Sequence, residues 1–372
     1  MRPTRAEIDI ASFQQNLRYV RERIGAKPKI MAIVKANAYG HCLEIIARAS
    51  IESGLVHSFG VATEEEGEKL RQLTSLPILV LTTVLEDEID VLLQHDLDFT
   101  LTEPRLIPII AARARALGKM GRIHVKVDTG MRRVGIRPEA TLSVLNAVLA
   151  ESDSLDLIGL STHFATSDEL DLSFFEKQLS TFRGVVQEAR SSGIVIPYAH
   201  AANSGAVFQR PVDSAFDMVR PGIMLYGYTP SLELDELYGE ELRPPLEFTS
   251  AVAFVKRIAA GDGVSYNLRW RATKPTTLLT IPVGYGDGYP RALTNRTSVL
   301  INGKRYPVVG TICMDQIMVD AGDDHIQVGD RAVLIGPSRE GVTAWSIAST
   351  VNTIPYEILT NIAQRVPRIA RG

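Results

Sequence analysis

The chain has 372 residues, 45% of them hydrophobic and 22% charged, with a formal net charge of −3. That balance describes a soluble protein long enough for two cores, and it excludes a basic nucleic-acid binder or an anionic-membrane binder. Two cysteines are too few for a disulfide framework. Residues 1–10 lack an apolar signal region and no apolar run reaches the roughly 18 residues of a membrane span, so a cytoplasmic location is expected.

Ser12 is expected to cap a helix with apolar positions at Phe13, Leu17, Val20 and Ile24 and a stop at Gly25. Ile30, Met31, Ala32, Ile33 and Val34 then read as a buried strand running into Lys35. Strands follow at 59–62, 78–82, 99–102, 123–127, 157–162, 194–201 and 219–226. Helices alternate with them at 43–53, 63–73 (opening on the capping box Thr63-x-x-Glu66), 84–94, 104–117, 139–150 and 172–191, and 208–212 is undecided. Eight strand–helix units imply parallel pairing and a (β/α)8 barrel. An open doubly wound sheet would show a Gly-rich turn after its first strand. Here that turn reads Ala36-Asn37-Ala38-Tyr39-Gly40.

After Tyr228 the texture changes. Residues 229–245 are acidic and contain proline, which reads as a linker or surface loop. Strands are expected at 248–258, 276–283, 298–301, 306–309, 316–319 and 332–334, with a short helix at 343–351. The predicted architecture is α/β: a TIM-type barrel over 1–240 and a mostly antiparallel β domain over 241–372.

In a barrel the strand C-termini form the active face. Lys35, Asp128, Arg133, His163, Asn203, Ser204 and Arg220 all fall there. Taken singly, each has an ordinary explanation; Lys35 could simply end a surface strand and snorkel to water. Together they suggest a site. Ser204 with Gly205, and Gly222 with Ile223, supply backbone N–H groups where barrels often hold phosphate. A phosphate beside a lysine suggests pyridoxal 5′-phosphate, with Arg220 placed at its ring nitrogen. An arginine there cannot give up its proton, which weakens the electron sink and favours simple proton transfer. Lys126 shares a strand face with Asp128 and points into the barrel, so either Asp128 pairs with it or its amine is modified. In the β domain, Tyr266 follows the turn Gly261-Asp262-Gly263, and a turn-packing role explains it in isolation. Cys313 and Asp315 lack the remaining ligands of a zinc site, so no metal is expected.

Several stretches resemble the bacterial alanine racemases, fold-type III pyridoxal phosphate enzymes, along essentially the whole chain. They are Val34-Lys35-Ala36-Asn37-Ala38-Tyr39-Gly40-His41, Lys126-Val127-Asp128-Thr129-Gly130-Met131, Thr162-His163-Phe164-Ala165, Ala202-Asn203-Ser204, Val219-Arg220-Pro221-Gly222-Ile223, Val264-Ser265-Tyr266, Val283-Gly284-Tyr285-Gly286-Asp287-Gly288 and Ile312-Cys313-Met314-Asp315. The resemblance implies that Lys35 binds the cofactor and acts as one base. It implies that Tyr266 is the other, lent by the second subunit of a homodimer with shared active sites. Tyr39, Ser204, Gly222, Ile223 and Tyr356 would contact the phosphate. His163 and Asn203 would join the cofactor site, His163 supporting Arg220. Arg133 and the Met314 N–H would meet the carboxylate of a small amino acid. Lys126 matches a lysine often carbamylated in the family, and the N-terminal residues would add a strand to the β domain. Three departures stand out: Arg132 beside Arg133, Cys42 where glycine is usual, and Thr82 where the third strand often turns on glycine. The implied activity is interconversion of L- and D-alanine, supplying D-alanine for peptidoglycan. Competing readings are a racemase of wider range, a non-catalytic pyridoxal phosphate-binding barrel, which would lack the β domain, and a decarboxylase, which would place Glu at the ring nitrogen.

Overall fold

The computed structural model describes residues 3–337 and 341–372. Eight parallel strands close into a barrel: Lys29–Ile33, Ser58–Val61, Ile78–Val80, Asp98–Leu101, Gly121–Lys126, Leu155–Ser161, Tyr198–His200 and Met218–Val219. The ring closes by pairing Lys29 with Met218 and Ile30 with Val219. Helices coat the outside, from Leu43–Glu52 round to Ser204–Gln209 and Pro211–Ala215, which occupy the stretch left undecided by pattern. The helix Ile10–Ile24 precedes the first barrel strand and packs Phe13 against Tyr226, at the end of the barrel sequence. Among the described residues no helix is long and apolar enough to cross a membrane.

Several boundaries differ from expectation for identifiable reasons. Asp9, not Ser12, caps the first helix, accepting from the Ala11 and Ser12 N–H groups; Ser12 Oγ donates to the same carboxylate. The eighth strand stops at Val219, because Pro221 has no N–H to continue a ladder, and Ile223–Tyr226 forms a 3-10 turn instead. Pro197 likewise delays the seventh strand to Tyr198. The acidic stretch after Tyr228 holds a helix, Leu232–Tyr238, capped by Ser231. The 248–258 segment is two strands, Leu246–Ala251 and Phe254–Ile258, which enter different sheets.

The second domain comprises a six-stranded sheet, a three-stranded sheet and a short two-stranded one. Its larger sheet incorporates the N-terminal strand Arg5–Asp9, antiparallel to Leu246–Ala251 and parallel to Arg368–Arg371. Both ends of the chain are thereby bound to one sheet. The stitch is electrostatic as well. Burial raises the cost of ionising Glu7, yet Arg5 and Arg331, helped by Arg371, hold its carboxyl below the ordinary value.

Candidate active site

The first barrel strand ends at Ile33, and the next residues leave the ordinary backbone regions. Ala36, Asn37, Ala38 and Tyr39 all have φ between 52° and 54°. Such a left-handed run of L-residues costs about 1–2 kcal/mol per residue and persists only where its surroundings over-determine it. Four contacts do so here. Glu66 Oε1 accepts from the Ala36 N–H at 2.6 Å, while Oε2 accepts from Ala62 at 2.8 Å. Thr63 caps its helix as expected, but the Glu66 carboxylate serves the lysine turn rather than closing the reciprocal capping box. The Tyr39 ring stacks on Tyr226 with centroids 4.5 Å apart, and Tyr226 donates its hydroxyl to Ile33 O. The turn thereby presents Lys35 to the barrel mouth. Crowding there lowers its pKa, the Arg133 charge lowers it further, and Glu66 acts in the opposite sense.

The mouth encloses a cavity of about 550 Å³. Lys35, Tyr39, Lys126, Arg133, His163, Asn203, Ser204, Arg220, Gly222, Ile223 and Tyr356 all line it. Tyr356 arrives on a helix, Pro355–Thr360, that the sequence pattern did not reveal. One end of the cavity is built for an anion. The first-turn N–H groups of Ser204–Gln209 and of the 3-10 turn at Ile223 have no carbonyl of their own helix to meet. Asn203 caps the former, and Ser204 Oγ accepts from the Gly222 N–H at 3.0 Å, tying the two together. Gly222 is required: a Cβ there would lie 2.5 Å from the Tyr39 hydroxyl.

Arg220 also lines the cavity and is only 5% exposed. Nη1 donates to His200 Nδ1 and His200 O at 2.9 and 2.8 Å. Nη2 donates to Thr162 O at 2.7 Å, Ala201 O at 3.1 Å and His163 Nδ1 at 3.2 Å. Burial, with the Arg133 charge, lowers the guanidinium pKa to about 10, so it stays cationic at neutral pH. With both Nη groups engaged, Nε–H is the donor left for a ligand.

Lys126 is 9% exposed and points into the cavity, with Val125 and Val127 buried on the other face of its strand. Asp128 does not pair with it. Its Oδ1 accepts from the Gly130 and Arg132 N–H groups and so shapes the loop. Burial, then Arg220 and Arg133, push the Lys126 pKa well down. The same structure separates the two neighbouring arginines: Arg133 lines the cavity, whereas Arg132 turns outward toward Asp128.

Two expected site residues are elsewhere. Tyr266 is 69% exposed and Met314 53% exposed, both on the β domain and neither lining this cavity. Tyr266 sits in a turn whose Ser265, Asn267 and Leu268 have φ of 62°, 62° and 46°. Thr311 Oγ1 donates to Tyr266 O at 2.8 Å, linking the turn to the Met314 loop. That loop is held by Arg365, which bridges buried Asp287 and exposed Asp315.

A lysine-bearing left-handed turn, an anion cradle and a buried arginine at the C-terminal face of a parallel barrel define a barrel enzyme that handles a small anionic ligand. The comparisons give its family. Residues 8–230 match the model "Alanine racemase, N-terminal domain" and residues 246–370 the model "Alanine racemase, C-terminal domain". A curated alanine racemase of Carboxydothermus hydrogenoformans is 41% identical over 372 residues, covering 99% of this chain and 100% of that one. That of Halothermothrix orenii is 39% identical over 370 residues, covering 99% and 96%. The crystal structure of an alanine racemase from Streptomyces lavendulae superposes with a TM-score of 0.93 at 35% identity, over 100% of this chain and 98% of that one. The chain belongs to the alanine racemase family, and its class of reaction is isomerisation.

Proposed function

We propose that the protein interconverts L-alanine and D-alanine using pyridoxal 5′-phosphate, as a homodimer whose sites are shared. The observation that carries this is the cavity itself: an accessible, pKa-lowered lysine, an anion cradle and one free guanidinium donor, arranged around about 550 Å³. These fit the three handles of the cofactor. Lys35 would hold its carbonyl carbon; Tyr39, Ser204, Gly222, Ile223 and Tyr356 its phosphate; Arg220 its ring nitrogen, with His163 and Asn203 alongside. When bound, the group supplies the electron-withdrawing ring that makes an α-hydrogen removable.

The chain's residues do the rest. Inversion needs a proton taken from one face and delivered to the other, and the Lys35 amine serves only the near face. Tyr266 of the partner subunit serves the far face. Its exposure on one chain, with Leu268, Tyr285 and Met314 exposed on the same domain, is what a donated residue requires. Arg133 and the partner subunit's Met314 N–H would bind the substrate carboxylate. Lys126, held toward the neutral amine, would take up CO2, losing a proton to form an N-carboxylate. That anion would pair with Arg133 and offset the Arg220 charge. Arg220 would donate to the ring nitrogen without releasing a proton, which would disfavour carbon dioxide loss. We further propose a domain boundary near 240/241, a cytoplasmic location and a D-alanine product destined for peptidoglycan.

The test is to incubate the purified protein and pyridoxal phosphate with L-alanine and L-serine, measuring D-isomers and CO2. D-alanine as the dominant product supports the proposal. CO2 release without D-isomers would replace it with a decarboxylase, and comparable D-serine with a racemase of wider range.

A further inference from the structure

Barrel interiors are normally filled by layers of branched aliphatic side chains. This one carries a line of polar groups instead, running from Arg220 toward the opposite end. His200 Nδ1 meets Arg220, and His200 Nε2 lies 2.9 Å from His124 Nδ1. His124 Nε2 lies 3.3 Å from Asp98 Oδ2, and Arg122 Nε donates to Asp98 Oδ1 at 2.6 Å. His200, His124 and Asp98 are all buried. None of them lines the active cavity. Room is made deliberately: a Cβ on Gly159 would collide with His124 Nδ1.

The ends of this line fix its direction. Arg220 can only donate, and an Asp98 carboxylate salt-bridged to Arg122 can only accept. Every imidazole between them must therefore accept through Nδ1 and donate through Nε2. Both rings are then neutral Nε2–H tautomers, and His200 offers a lone pair to Arg220. Burial first, then the Arg220 charge, oppose protonation of His200.

We propose that Asp98 and His124 are positioning residues that lock the tautomer of His200, and through it the seat of Arg220, from outside the active cavity. This rests on the racemase reading only for its kinetic consequence. Arg122 makes the lock testable. In Asp98→Asn the amide oxygen is drawn to the Arg122 donor, which turns the NH2 toward His124 Nε2. His124 then carries its proton on Nδ1, His200 follows, and an N–H faces the Arg220 N–H. One atom exchanged at Asp98 reverses the whole line. Adding Arg122→Gln frees the amide to turn back and offer its oxygen to His124.

The experiment is 15N-histidine NMR of the holoenzyme together with steady-state kinetics. The wild-type protein should show His200 and His124 protonated on Nε2. Asp98→Asn should move both to Nδ1–H and lower kcat on the order of 10- to 100-fold, the usual reach of groups that orient a functional imidazole, with KM within about twofold. Asp98→Asn with Arg122→Gln should restore the Nε2–H tautomers and much of kcat. A wild-type His200 protonated on Nδ1 overturns the lock without any variant, so a misfolded Asp98→Asn does not rescue it. Failure of the double variant to restore kcat while the tautomers revert also overturns it. Correct tautomers in a protein that does not racemise alanine would instead remove the racemase reading and leave the lock standing.

Discussion

Two turns of this molecule use the same strained backbone and meet opposite fates. The turn after Lys35 places four residues near φ 53°, and the turn around Tyr266 places three at positive φ. The first is braced within the chain by Glu66 and by the Tyr39–Tyr226 stack. The second is tied through Thr311, which donates to Tyr266 O and accepts from Ser265 Oγ, but it leaves the Tyr266 and Leu268 side chains exposed. Strain of this kind needs surroundings that hold it. Both turns have them within the chain, but the second presents its aromatic side chain outward, as half of a contact does. On the proposed reading, the difference separates the part of a site that one chain builds from the part it would lend to another copy.

The sharpest way to break that comparison is to damage each turn separately. Lys35→Ala should lower racemisation by on the order of 10⁴-fold or more, with no cofactor retained covalently after borohydride reduction, read by mass spectrometry. Tyr266→Phe should lower it by about 10²–10⁴-fold while retaining that adduct. Mixing the two inactive variants should restore about a quarter of wild-type activity, because half the dimers formed at random are mixed and each holds one intact site. No recovery after verified subunit exchange would mean that both turns serve the same chain's site.

How much of this was legible in the sequence differs between the two halves. Alternation of short apolar strands with helices showed the barrel, and period-2 reasoning put Lys126 inside it, where it is found. That reasoning applies equally to His124, two residues earlier, and could have exposed the buried imidazole line. It could not have shown His124 meeting His200, because that contact joins strands 76 residues apart. The role of Glu66 was hidden differently: a capping box is a local signal, whereas its carboxylate satisfies an N–H 30 residues away. The helix carrying Tyr356 is only six residues long, too short for a clear periodicity. Tyr266 remains outside the cavity in a single chain, so only resemblance suggested its part.

A second effect separates the halves by pH. The barrel side buries His41 and His200 and sets His163 in the cavity wall, all with pKa values pushed down, chiefly by desolvation. For His41 the value falls from 6.5 to about 4: burial dominates, the Tyr39 carbonyl opposes it and Arg368 adds to it. These rings stay neutral in the fold but take protons when unfolded. Stability is therefore full above about pH 6.5 and declines as pH falls toward 4. His41 alone should cost about 2 kcal/mol between pH 7 and pH 5, read from urea unfolding midpoints. His41→Asn should flatten that part of the pH profile. An unchanged profile would mean that His41 does not titrate across this range.

The smallest effect concerns strain at a single residue. Just past the lysine turn, Cys42 sits at φ 78° and ψ 113°, a region that glycine occupies far more readily, and heads the helix Leu43–Glu52 without a side-chain cap. Its backbone N–H donates to Asn37 O at 3.0 Å, so the conformation belongs to the lysine turn and is not free to relax. Asn37 Oδ1 accepts from the Leu43 N–H at 2.8 Å and locks the following residue too. Substituting glycine removes the Cβ penalty and keeps both hydrogen bonds, though it also loosens the unfolded chain. Cys42→Gly should therefore raise stability by about 1 kcal/mol and leave kcat and KM unchanged. A stabilised protein with altered kcat would show instead that strain at Cys42 helps aim Lys35. The braced turn would then depend on its own tension.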